Sequence, residues 1–106
     1  MSEIETFTKK RLSIIIEAPF LRRLLDILDD LDVPGYTAIP ALAGSGASGP
    51  WRSDSLSSDA GRMVQVVIVL DESKVPDVLK AVRGVLQRQM GIVSMMDVEV
   101  LRPELF

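Results

Sequence analysis

Gly44-Ser45-Gly46 is the segment of this chain best suited to chemistry; it follows directly on an apolar run, Ala38 to Ala43. Glycines let successive backbone N–H groups turn toward one point, and such a nest binds an anion. The segment lacks the terminal Gly-Lys-Ser/Thr of a phosphate loop and no helix follows it, so a linker is the plainer alternative. Gly46, Ala47, Ser48, Gly49, Trp51 and Arg52 continue the same Gly/Ser-rich run and extend the candidate anion site. Arg52, Arg62, Arg88 and Arg102 could each present a guanidinium fork to phosphate oxygens, with ordinary surface charge as the alternative. Trp51, the single tryptophan, is either a tether that packs the run down or a contact residue.

Other chemistries are poorly supplied. The chain has no His and no Cys. That removes thiol nucleophiles, His-based acid/base pairs and His/Cys metal sites together. The loop serines have no partner base, and no G-x-S-x-G elbow joins a strand to a helix. Asp29, Asp30 and Asp32 offer at most a weak oxygen-ligand cation site, and a solvated helix end is the plainer reading. Neither a catalytic nor a metal residue is assigned. Net charge is −3 and five residues are aromatic, which gives no footprint for duplex DNA and no stacking platform for single strands. The polar start of the chain carries no signal-peptide core, and no apolar run is long enough to span a membrane, so a cytoplasmic location is expected.

These candidate residues need a scaffold, and 106 residues predict one domain, 1–106. After a mobile lead-in, Lys10 to Glu17 alternates as a strand. Pro19 opens a helix whose Phe20, Leu21, Leu24, Leu25, Leu28 and Leu31 recur at three- and four-residue spacing, and Val33-Pro34-Gly35 ends it. Tyr36 to Ala43 reads as a second strand, confined to an edge by Pro40. From Gly44 to Gly61, ten of eighteen residues are Gly or Ser, which predicts a long flexible loop at 44–61. Arg62 to Leu70 is the strongest strand. Asp71 to Ser73 caps a second helix with an apolar stripe from Val75 to Met90; Gly84 inside it suggests close approach to the sheet. Ile92 to Leu101 is the last strand, and the tail ending in Phe106 has an apolar end able to dock.

Strand, helix, strand, strand, helix, strand is the split β-α-β order. The expected fold is α+β, ferredoxin-like βαββαβ: a four-stranded antiparallel sheet with two helices on one face. The other face reads as apolar, with Ile15, Met63, Val67, Val69, Val93 and Met95 placed on it. An exposed patch of that kind favours a closed oligomer of this chain.

The order of elements, Gly35-Tyr36-Thr37 at the start of the second strand, the Gly-x-Gly that follows it and the long loop together resemble PII-like signal proteins over residues 9 to 106. The resemblance implies a homotrimer with nucleotide sites in the clefts between subunits, and a loop (the T-loop) that reorders with ligand to engage a target protein. Gly35, Tyr36 and Thr37 would line the adenosine end. Gly44, Ser45 and Gly46 would offer main-chain donors to phosphate or another anion, and Arg102, with Arg88 secondary, would reach phosphate across the boundary. Departures narrow the ligand. Gln89-Met90-Gly91 leaves no room for the family's longer phosphate loop or its lysine, which favours ADP or AMP over ATP. Ser48 stands where a 2-oxoglutarate-binding Gln is usual, and the loop has no Tyr to uridylylate. The pattern is most similar to the divergent type linked to inorganic carbon. That type binds adenine nucleotides, in some cases with bicarbonate, and acts on a transporter or carboxysome component. A trimeric enzyme or metal-handling protein of the same fold, and an adaptor whose loop binds a partner without ligand, are the alternatives.

Overall fold

The computed structural model describes residues 4–46, 49–52, 62–87 and 91–106. In chain order the elements are β1 (Phe7–Glu17), α1 (Leu21–Asp30), β2 (Tyr36–Pro40), β3 (Ala43–Gly46), β4 (Gly49–Arg52), β5 (Met63–Leu70), α2 (Val75–Leu86) and β6 (Ile92–Val100). Four strands form one antiparallel sheet in the order β2-β5-β1-β6, and β3 and β4 pair only with each other. This is the ferredoxin-like order, with a hairpin inserted between its second and third core strands.

Period-two alternation decides which side of the sheet is covered. Leu12, Ile14 and Ile16 of β1 and Val66, Ile68 and Leu70 of β5 are fully buried. They pack against Leu24 and Leu28 of α1 and Val75, Val78 and Val82 of α2, so both helices lie on one face. α1 ends with Asp32 in the left-handed region (φ 55°), and the Val33 N–H bonds back to the Leu28 carbonyl at 3.1 Å. Val33 is buried there, which turns the chain into β2. Gly84 is exposed and a Cβ on it would meet nothing within 4 Å, so close approach to the sheet is not its reason.

Three expectations about the strands need correction. β1 begins at Phe7 rather than Lys10, because Phe7, Thr8 and Lys9 pair with Val100, Glu99 and Val98 of β6. Tyr36 to Ala43 is not one strand; it breaks after Pro40, and Ala41 donates its N–H to the Met63 carbonyl at 3.0 Å. The third concerns the face of β6. Val93 and Met95 sit opposite Ile14 and Leu12, on the helix side, whereas Ile92, Ser94 and Met96 sit opposite Ile15, Ser13 and Arg11 on the open side. Asp97 and Glu99 also fall on the helix side, where Lys10 pairs with Asp97 and the Thr6 hydroxyl donates to Glu99.

The open face remains apolar after this exchange. Ile15, Met63, Val67 and Val69 are half-buried on it, and Ile92 and Met96 are 59% and 55% exposed. At its centre Gln65 donates to the Ser13 hydroxyl at 2.8 Å, which satisfies the one buried polar side chain among the described residues.

The open end of β1 is tied by charge. Lys9 reaches Asp71 at 2.9 Å, and the Ser73 hydroxyl donates to the other carboxylate oxygen at 2.7 Å. The Lys9 ammonium, followed by the Ser73 hydroxyl, lowers the Asp71 pKa from 3.8 to about 2. A carboxylate with a lower pKa folded than unfolded adds stability above its unfolded value and loses it as pH falls through its folded value. Asp71→Asn should therefore lower the melting temperature at neutral pH, with the deficit closing as pH falls from about 4 to about 2. The effect is modest, because the Asp71 side chain is 49% exposed and water screens the pair. Thermal melts of both proteins across that pH range check it; a deficit that persists unchanged at pH 2 refutes it.

Candidate functional site

The residues singled out in the sequence fall at two ends of β2. Gly35, Tyr36 and Thr37 stand at its start. The Gly35 carbonyl accepts from the Val69 N–H at 3.2 Å, which anchors this segment to β5. The C-terminal tail crosses the sheet end to reach it, as its apolar end suggested. A Cβ on Gly35 would lie 2.9 Å from the Phe106 ring, so glycine is what lets the tail dock there. Arg102 lies exposed at the start of that tail and holds Glu104 at 3.2 Å, a single contact that occupies one of its five donors.

Neighbouring residues on a strand face opposite ways, and this separates Tyr36 from Thr37. Tyr36 pairs with Ile68 on the helix side, packs against the core, and donates its hydroxyl to Asp29 at 2.6 Å. That bond to the carboxylate, with smaller contributions from burial and nearby acids, raises the Tyr36 pKa. Thr37 pairs with Val67 on the open side and is exposed. The two therefore cannot line one wall: Thr37 faces outward, and Tyr36 clamps the strand start to α1.

At the other end of β2, the expected loop at 44–61 is in part a hairpin. Gly44 lies opposite Trp51, Ser45 opposite Pro50 and Gly46 opposite Gly49. Pro50 has no N–H, so Ser45–Pro50 must be a pair that exchanges no hydrogen bonds. Pairs alternate in type along an antiparallel ladder, so Gly44–Trp51 and Gly46–Gly49 are the bonded ones. The N–H groups of Gly44 and Gly46 are thus spent within the hairpin, and Ser45 alone directs its N–H outward. A nest of three convergent donors is not formed in this state. Gly49 has φ +96°, which suits glycine, and the Trp51 indole lies against Gly44 with its Cε2 only 2.8 Å from where a Cβ would stand. Of the two roles open to Trp51, the structure displays the tether. Arg52 is exposed at the end of β4. Ala47, Ser48, Arg88 and positions 53–61 lie outside the described residues.

Among the described residues no group of three or more acidic side chains is placed to hold a metal, and no helix is long and apolar enough to cross a membrane.

Comparison with known proteins places this geometry. A sequence profile of the family described as nitrogen regulatory protein P-II matches residues 9–105. The chain belongs to that family. No curated protein matches the sequence. Among solved structures, this P-II chain is similar to CPII, a nitrogen regulatory PII-like protein from Thiomonas intermedia K12, bound to ADP, AMP and bicarbonate. The TM-score is 0.89 at 26% identity, over 98% of each chain. CPII bound to ADP and bicarbonate gives 0.85 at 29% identity, over 98% of this chain and 99% of that one. A PII-like signaling protein from Thermus thermophilus shares the fold, with a TM-score of 0.77 at 22% identity over 94% and 96% of the two chains. P-II proteins are regulators as a class.

Proposed function

We propose that this protein is a PII-like sensor of an adenine nucleotide, ADP or AMP, with bicarbonate as a second ligand. The observation that carries the reading is the likeness over 98% of the chain to CPII structures that hold ADP, AMP and bicarbonate. Three copies associate through the open sheet face, whose apolar surface on a lone chain of this size would be a liability. Each cleft between copies takes Gly35 and Thr37 from one chain and the β3–β4 hairpin from its neighbour, with Arg102, and Arg88 beside it, on phosphate. Tyr36 positions Thr37. Ligand reorders the run from Gly44 to Gly61, and that run, including Ala47, Ser48 and Arg52, presents itself to a target protein of inorganic carbon metabolism, a transporter or a carboxysome component. The protein catalyses no reaction in this role and works in the cytoplasm.

Titration calorimetry with ADP and with AMP, each with and without bicarbonate, tests the reading. Heat is expected with at least one nucleotide. No heat in any of the four titrations overturns it.

A further inference from the structure

The β3–β4 hairpin stands apart from the main sheet and forms a sheet of its own. A lone two-stranded hairpin is only marginally stable in water, so its open and closed forms differ little in free energy. Its composition makes this worse: Gly44, Ser45, Gly46, Gly49 and Pro50 are all poor strand formers. A cross-strand contact offsets that weakness: the Trp51 indole lies on Gly44. Gly44 is glycine here because the indole occupies the place of its side chain, which is a different demand from an open main chain for an anion.

We propose that the Trp51–Gly44 contact is a latch that sets the closing equilibrium of the hairpin, and that nucleotide in the adjoining cleft draws on this equilibrium. The inference rests on the function proposed above. In the closed form Ser45 is held with its N–H outward and its hydroxyl exposed, so closure builds the hairpin's side of the cleft. A ligand that contacts only the closed form pulls the equilibrium toward it, and anything that favours the open form weakens the ligand by the same factor. Trp51 is then a positioning residue: it sets affinity without touching the nucleotide.

The single tryptophan makes this measurable. On adding ADP or AMP to the full-length protein, Trp51 emission should move to the blue and acrylamide quenching should fall, as the indole settles onto Gly44. Trp51→Ala should weaken nucleotide binding by about 1.4- to fivefold, the range to which a cross-strand contact converts. Trp51→Phe should restore most of the loss, since a ring still covers the glycine. Gly44→Ala excludes the indole, so it should shift emission to the red without ligand and weaken binding similarly. Calorimetric heat with unchanged emission and an unchanged Trp51→Ala affinity overturns the latch and leaves the sensor reading standing. A blue shift with the expected loss and rescue supports both. No heat from the unaltered protein removes both.

Discussion

Val67→Asp should convert the protein to monomers and abolish nucleotide binding while the subunit stays folded. Val67 is central to the open face: it sits on β5 between Thr37 of β2 and Ser13 of β1, and it belongs to no part of the core beneath the helices. In a lone chain it is half-buried, so a carboxylate there keeps contact with water and the fold survives. Pressed against another copy, the same carboxylate loses its water, and Arg11, the cation of this face, stands opposite Val69 rather than Val67, so the cost is several kcal/mol per contact. About 3 kcal/mol is already more than a hundredfold in an association constant, and the cost recurs at each boundary. Sedimentation should show a species near 11.6 kDa in place of one three times that mass, with an unaltered far-ultraviolet spectrum. Arg22→Asp, a charge reversal on the exposed side of α1, should leave the assembly as it was. If Val67→Asp sediments like the unaltered protein, the open face is not the association surface.

That face also marks how far the sequence could be read. The order of the elements was legible because the core strands and helices carry clean local periods. Leu12, Ile14 and Ile16 alternate, and Val78, Val82 and Val85 recur at three- and four-residue spacing, each set buried as its period requires. β6 defeated the same logic. Its first half, Ile92 to Met96, is apolar on both sides except for Ser94, so periodicity does not choose a face. Its second half misleads, because Val98 and Val100 look like core residues. They lie on the open side, and the acids between them lie on the helix side, where Lys10 and Thr6 take up their charge and hydrogen bonding. The start of β1 was hidden for a related reason: Thr8 and Lys9 have no strand pattern of their own, and only pairing with β6 makes them one.

Candidate residues could be named from the sequence, but their arrangement could not. Gly35 and Thr37 were singled out by the Gly-Tyr-Thr resemblance, and the tail's apolar end suggested docking without showing that Phe106 would lie against Gly35. The hairpin could not be found by propensity, since glycine, serine and proline argue against a strand. Its signal was a pair of residues seven apart, Gly44 and Trp51, whose complementarity is visible only once they face each other. Tyr36 was misplaced for want of the strand's parity: its bond to Asp29 joins the beginning of β2 to the end of α1.

The largest effect of all should be a restoration. Thr37 lies on β2 and Ser45 on the β3–β4 hairpin, and in the proposed assembly each cleft takes the first from one copy and the second from its neighbour. Thr37→Phe fills the adenosine end with an exposed side chain on an edge strand, and Ser45→Glu sets a carboxylate where phosphate would lie; neither position is buried, so both proteins should fold and assemble. Each alone should give no calorimetric heat with nucleotide, because every cleft is spoiled on one side. Co-expressed and separated by two affinity tags, mixed trimers should bind one nucleotide each. Around a closed ring of two kinds of subunit, one boundary, and only one, joins the sound end of each kind, whichever kind is in the majority. A site carried within a single chain gives the opposite result: mixing two dead subunits produces nothing, at any ratio. The stoichiometry of the mixed species therefore decides whether the nucleotide belongs to a subunit or to the boundary between two.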